Sequence, residues 1–328
     1  MEWIKCHNRH LIDATPLSSI VYCSILSTAF VGSLYVLVPA KVRALDRDHP
    51  IHIQRRALAT LIVCGGAILS YPWLFCSKQG QSQEQSLGSI PSEFSFWKLI
   101  FLPSYSLSVL LHTAILYTGS FVATLLKVYE HRLKSAAQGK PTKPYLNDVV
   151  QWIRQISLQQ FLGPVHSTGQ KWINLRNYVI APWTEEVIFR GCMVPRLLAC
   201  GMSNNAASWT APMFFGFAHV HHAFMRWKRG ENKMSMIALQ TAFQFTYTSL
   251  FGSYVSYALI RTGSVPAVTL SHAFCNFMGL PDFSFFQQTH VLYNHRSTLV
   301  AAYLAGILGF VSLFYSDKLL PLPPRLVV

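Results

Sequence analysis

Long apolar runs alternate with short polar segments along most of the chain. Eight of these runs are close to the roughly twenty residues that an α-helix needs to cross the hydrocarbon core of a bilayer. They cover residues 17–40, 57–76, 99–126, 178–199, 206–222, 236–260, 264–280 and 298–315. The pattern predicts an all-α fold, a polytopic membrane helix bundle of about eight transmembrane helices, formed by a single integral-membrane domain over residues 1–328.

Two segments need separate interpretation. The run 17–40 is too long for the core of a signal peptide and lacks a clear small-residue cleavage site, so we expect a retained span. The segment 147–165 places Trp152, Ile153 and Phe161 among polar residues, which predicts an interfacial amphipathic helix.

Charge gives the predicted bundle an orientation. Only 12% of the residues are charged, and 27 basic against 13 acidic residues give a net charge of +14. The basic residues cluster in segments 41–56, 127–147 and 223–235, which share one side if there are eight spans. The positive-inside rule makes that side cytosolic and both termini lumenal. We assign the excess to topology and to contact with the lipid bilayer, and not to nucleic acid, because the sequence has no basic platform interleaved with aromatic residues.

The seven cysteines show no CxxC pair and no regular spacing, and most lie in or beside apolar runs. This distribution argues against a disulfide framework and against a structural zinc site. We expect the cysteines to be buried as small apolar residues.

Three ionisable residues interrupt the apolar stretch "VIAPWTEEVIFRGC" at positions 179–192. Glu186 and Arg190 are four residues apart and therefore share one helix face, where they could form a satisfied buried pair. Glu185 lies about 100° around the helix from Glu186, so its partner must come from another helix. It would sit about 10 Å along the helix from the cytosolic end, a depth that water can reach through a cleft.

Two later apolar runs carry further polar residues. His219 closes the run that contains "FGFAH", and His272 and Asn276 share one face of the run that contains "HAFCN". Buried polar groups require partners, so these residues are expected to converge with the glutamates. A carboxylate with an imidazole can activate water, and a second imidazole with an amide can stabilise an oxyanion, which together suit hydrolysis of a peptide bond.

The sequence lacks the signatures of several other hydrolytic sites. The sequence contains no HExxH, no GxSxG and no paired membrane aspartates. A zinc site built from Glu185, His219 and His272 remains an alternative. So does a non-catalytic membrane scaffold or transporter, although we find no internal repeat of the kind that transporters usually show.

The ordered motifs "EEVIFR", "FGFAH" and "HAFCN" resemble those of the type II CAAX prenyl endopeptidases, a family of glutamate-type intramembrane proteases. The segments "VGSLYV", "RDHP", "FQFTYTSLFGSY" and "IRTG" resemble its eukaryotic branch. Each motif alone is weakly specific, but their order on successive predicted helices is specific. Every motif position is filled.

The resemblance implies an endoplasmic-reticulum endopeptidase that removes the last three residues of prenylated CAAX proteins, such as Ras-type small GTPases, at a site open to the cytosolic side. It implies a metal-independent mechanism without a cofactor and a catalytic core near 178–280. In the implied mechanism, Glu185 and His219 activate the water. His272 and Asn276 stabilise the oxyanion, and Glu186 and Arg190 support the helix that carries Glu185.

Overall fold

The computed structural model describes residues 9–11, 15–78, 96–139, 147, 150, 168–230 and 233–314. Helices dominate these residues, which confirms the all-α class. The predicted interfacial helix over 147–165 lies outside the described residues, apart from two isolated positions.

The elements follow one another in this order. The first half of the chain contains β1 (Arg9–Leu11), α1 (Pro16–Val36), α2 (Ala40–Arg43), α3 (Pro50–Phe75), β2 (Cys76–Lys78), α4 (Phe96–Phe101), α5 (Ser106–Leu116) and α6 (Thr118–Ala137). The second half contains α7 (Thr168–Leu175), π1 (Arg176–Ile180), α8 (Ala181–Glu186), π2 (Val187–Cys192), α9 (Met193–Ala199), α10 (Asn204–Arg229), α11 (Met234–Thr262), α12 (Val265–Met278), two 3₁₀ turns (Ser284–Phe286 and Tyr293–His295) and α13 (Arg296–Phe314). The strands β1 and β2 form a short antiparallel ladder.

The chain divides into two compact units. The first unit comprises Met1–Ser106, Ile180–Leu270 and Pro321–Val328, and the second comprises Leu107–Val179 and Ser271–Leu320. The predicted catalytic core at 178–280 therefore contributes residues to both units.

The first unit is built around the helical segment that contains π2. Helix α1 packs against α3, α9 and α10, and α10 forms a hairpin with α11. Phe30 meets the ring of Phe189 edge-on at 5.6 Å, and Tyr71 stacks on Phe96 at 4.3 Å. All six residues of π2 are buried, so this segment lies within a packed core.

The second unit is built around a bend in the chain. Helices α5 and α6 meet at Tyr117 with an angle of 67°. A side chain at Gly306 of α13 would collide with the carbonyl oxygen of Ile115, so a residue without a Cβ is needed at this close approach. Phe285, Leu292 and Leu299 form the buried core of this unit.

The membrane helices agree with the sequence pattern in part. Among the described residues, three helices are long and apolar enough to cross a bilayer, Pro16–Val36, Pro50–Pro72 and Tyr293–Phe314, and the bent pair α5 and α6 adds a fourth. The three match the predicted runs 17–40, 57–76 and 298–315. The other predicted runs after residue 177 also coincide with helices.

One predicted span is wrong as a continuous helix. The run 99–126 contains two breaks, at 102–105 between α4 and α5 and at Tyr117 between α5 and α6. Tyr105 has a φ of 56°, a left-handed backbone conformation that a regular helix excludes. Apolar composition predicted a span here, but the chain bends to pack against α13.

Candidate functional site

Both glutamates lie on a short α-helix between two π-helical segments. Helix α8 carries Glu185 and Glu186, with π1 before it and π2 after it. Pro182 and Pro195 have no backbone N–H, and each ring crowds the carbonyl four residues earlier. Those two carbonyls lie within π1 and π2, so the prolines account for the local change from the α register to the π register.

Glu186 and Arg190 form a fully buried ion pair. Arg190 Nη1 donates to Glu186 Oε1 at 3.3 Å, and both side chains have 0% exposure. The spacing of four residues places them on the same helix face. In this buried position the pair keeps two opposite charges together that would each be costly to bury alone.

The far side of the Arg190 guanidinium is enclosed by apolar groups. It lies over the ring of Phe215 with its Cζ atom 4.7 Å from the centroid, a cation–π contact. A Cβ at Gly252 would come within 2.7 Å of Arg190 Nη2. Three elements, π2, α10 and α11, thus fix the position of this side chain.

Glu185 differs from its neighbour in exposure. Its side chain is half-buried, whereas Glu186 is completely buried. The preceding residue, Thr184, donates its hydroxyl to the carbonyl of Ile180 at 2.9 Å, and its own carbonyl accepts from Cys64 Sγ at 3.4 Å. The helix turn that presents Glu185 is therefore tied both to its own first residues and to α3.

The two histidine motifs lie on different helices. His219 lies on α10, in the same compact unit as the glutamates, and its side chain lies outside the described residues. His272 is buried at 8% exposure on α12, and Asn276 follows one turn later with an exposed side chain. The structure therefore brings Glu186 into contact with Arg190, and it places His272 and Asn276 one turn apart on α12. The convergence of these two pairs with Glu185 and His219 stays a prediction.

The α12 residues make defined contacts within the second unit. Asn276 Nδ2 donates to the backbone carbonyl of Asn177 at 2.9 Å. Ser271 Oγ and Thr113 Oγ1 are 2.6 Å apart and share a hydrogen bond. These contacts fix the helix face that carries His272 and Asn276.

The metal alternative is not tested by the described side chains. No group of three or more His, Cys, Asp or Glu residues suited to a metal ion occurs among the residues that the structure describes. The zinc alternative also needs the side chain of His219, which lies outside that part of the chain.

An apolar groove runs between α10 and α11 in the first unit. Its volume is about 460 Å³, within the range typical of ligand pockets. It is lined by Ala223, Met234, Ile237, Ala238, Thr241, Ala242, Phe245 and Thr246. Ala223, the lining residue on α10, lies one helical turn after His219 along that helix.

Several features of the site could not be predicted from the spacing of polar residues. The contact of Phe215 with Arg190, the close approach at Gly252 and the use of the Asn177 carbonyl all depend on packing. A sequence signal exists only for the π segments, because Pro182 and Pro195 interrupt a helical pattern.

Comparison with known proteins gives consistent matches. The family model described as "Type II CAAX prenyl endopeptidase Rce1-like" matches residues 168–278, which include all six candidate site residues. "CAAX prenyl protease 2" of Homo sapiens is 33% identical over 295 residues, covering 88% of this chain and 78% of that protein. The protein of the same name from Arabidopsis thaliana is 35% identical over a match that covers 63% of this chain and 61% of that protein. "Probable CAAX prenyl protease 2" of Schizosaccharomyces pombe is 43% identical, covering 32% and 39%. No solved structure matches the chain significantly.

Proposed function

The chain belongs to the type II CAAX prenyl endopeptidase family and is a membrane peptidase, and from this premise we propose that it removes the C-terminal tripeptide of prenylated CAAX proteins. The proposal assigns the scissile bond to the amide that follows the prenylated cysteine. It places the enzyme in the endoplasmic-reticulum membrane with a site open to the cytosolic side, where Ras-type small GTPases are substrates.

The difference between the two glutamates carries the assignment of the base. Arg190 binds one oxygen of Glu186 and neutralises its charge in a fully buried site. This carboxylate is therefore suited to a structural role and not to activating water. Glu185 is half-buried on a different face of the same helix, and we infer that the catalytic water reaches its carboxylate there. We therefore assign Glu185, together with His219, to the water.

The reaction is a hydrolysis that needs no redox partner. The water oxygen attacks the scissile carbonyl carbon, and Glu185 accepts a proton from that water. His272 and Asn276 donate hydrogen bonds to the oxyanion that develops on the carbonyl oxygen. The proton then passes to the leaving nitrogen as the C–N bond breaks, which releases the tripeptide and a new carboxylate on the prenylcysteine.

The groove between α10 and α11 supports binding of a prenyl chain. The chain is attached to the residue just before the scissile bond, so an apolar surface must begin close to the catalytic water. Ala223, one turn after His219, lines such a surface. Burial of apolar area then contributes affinity at about 25 cal/mol per Å².

The test is cleavage of matched farnesylated and unprenylated CAAX peptides by purified protein. We expect turnover of the farnesylated peptide only, with Glu185→Gln and His219→Ala lowering kcat by at least about 100-fold. Glu130→Gln makes the same carboxylate-to-amide change outside the site and should keep wild-type kcat. Cleavage of neither peptide would favour a scaffold or transporter, and near-normal turnover by Glu185→Gln would refute the assignment of the base.

Two further arms of this assay sharpen the proposal. Ala238→Phe fills the groove and should raise KM for the farnesylated peptide, whereas Leu239→Phe on the exposed side of the same helix should not. Activity that chelation abolishes and zinc alone restores would replace the metal-independent mechanism by the zinc alternative.

A further inference from the structure

We propose that the backbone carbonyl of Asn177 positions the side-chain amide of Asn276, and that Pro182 keeps this carbonyl available. The inference rests on the proposed function, in which Asn276 donates a hydrogen bond to the oxyanion. Asn177 and Pro182 are then positioning residues, since they act through Asn276.

The hydrogen bond between these groups fixes which way the amide faces. Asn276 Nδ2 lies 2.9 Å from the carbonyl oxygen of Asn177. A carbonyl oxygen only accepts, so the amide must present its NH₂ group to it, because the reversed orientation would face two acceptors toward each other. The bond takes one of the two N–H hydrogens of Asn276, and the other remains to donate to a substrate oxygen.

The register of π1 explains why the Asn177 carbonyl can accept this bond. In a π-helix the N–H of each residue donates to the carbonyl five residues earlier. The donor for Asn177 in that register would be residue 182, which is a proline without an N–H. The Asn276 amide thus donates to a carbonyl for which the π register supplies no donor.

Neighbouring contacts hold both partners of this hydrogen bond. Arg176 Nε donates to Asn177 Oδ1 at 2.9 Å. The ring of Tyr178 meets that of Phe277 at 6.0 Å in an edge-on contact. Residues 176–178 and 276–277 are therefore joined at two points, a hydrogen bond and a ring contact, which restrict the position of the donor atom of Asn276.

The catalytic consequence should appear in the chemical step. An oxyanion donor interacts with the transition state far more than with the bound peptide, so its displacement lowers kcat and leaves KM nearly unchanged. This split separates a positioning role from a role in binding the substrate.

The test is Pro182→Ala in the full-length protein, assayed with the farnesylated peptide and by thermal unfolding. Alanine supplies an N–H that competes with Asn276 for the Asn177 carbonyl, so we expect kcat to fall by about 10-fold to 100-fold with KM unchanged. The unfolding temperature should stay the same or rise, because alanine favours a helix over proline.

Pro72→Ala is the matched control, since it makes the same change inside α3. It should leave kcat at the wild-type value. If Pro182→Ala retains wild-type kcat while the wild type cleaves the peptide, the inference is overturned and the proposed function stands. A parallel loss of kcat and unfolding temperature would also overturn it, because Pro182 would then be structural. If the wild type cleaves no prenylated peptide, the proposed function fails and the inference fails with it.

Discussion

Two ion pairs, one chosen from each compact unit, differ in their surroundings. In the first unit, Glu186 and Arg190 have no exposed surface and are 3.3 Å apart. In the second unit, Lys127 and Asp282 are 3.8 Å apart with 38% and 60% of their side chains exposed. The first pair is locked among packed helices, and the second lies on the surface beside a turn.

This difference decides what each pair contributes. Removing one member of a buried pair leaves an isolated charge without water, which typically costs about 3–5 kcal/mol. An exposed pair is already well solvated and typically contributes about 0–1 kcal/mol. The buried pair is therefore expected to hold the glutamate helix in place, whereas the surface pair is expected to contribute little to stability.

The largest effect is expected from Arg190→Ala. It leaves the Glu186 carboxylate buried and removes the cation from the face of Phe215, so the free energy of unfolding should fall by about 3–5 kcal/mol. The unfolding temperature and the rate of peptide turnover, measured on the same preparation, should both decrease. A second variant, with Glu186→Leu and Arg190→Met together, should recover most of the stability because no charge remains buried. An Arg190→Ala protein that is stable but inactive would instead indicate that Arg190 acts directly in catalysis.

A smaller effect is expected from Gly252→Ala. The added methyl group would press on Arg190 Nη2 and on Pro212, and overpacking of this kind typically costs about 1–3 kcal/mol. Gly66→Ala is the control, because a Cβ there meets no atom within 4 Å and alanine favours a helix. The unfolding temperature should fall for Gly252→Ala and rise for Gly66→Ala. Equal shifts would show that the contact at Gly252 does not confine Arg190.

The smallest effect is expected from Asp282→Asn, and it depends on pH. The hydroxyl and the backbone N–H of Ser284, with Lys127 nearby, lower the pKa of the Asp282 carboxyl below its ordinary value. A lowered folded-state pKa adds stability above the ordinary Asp pKa of about 3.9, and this stability is lost as the pH falls through the folded-state pKa. At neutral pH the Asp282→Asn protein should therefore unfold at a slightly lower temperature than the wild type. This difference in unfolding temperature should shrink in acid. A difference that grows in acid would contradict this assignment.

Local patterns fixed several features in advance. Apolar length predicted spans at 17–40, 57–76 and 298–315, and each largely coincides with a helix, because the backbone must satisfy its own hydrogen bonds inside a bilayer. The spacing of four residues placed Glu186 beside Arg190, and the ordered motifs indicated the family. These features follow from helix periodicity and chain composition, which any single sequence displays.

Packing between distant segments decided the rest. Composition gave no reason for the 67° bend at Tyr117, since the approach of Gly306 to Ile115 joins residues far apart in the chain. It also could not show that Glu185 would be half-buried beside a fully buried Glu186, or that Asn276 would donate to the Asn177 carbonyl. The sequence by itself determined most of the helical segments and which polar residues they carry. The tertiary structure decided which of those residues are buried, which are partly exposed and which backbone groups they contact, because burial and hydrogen bonding depend on neighbours that are remote along the chain.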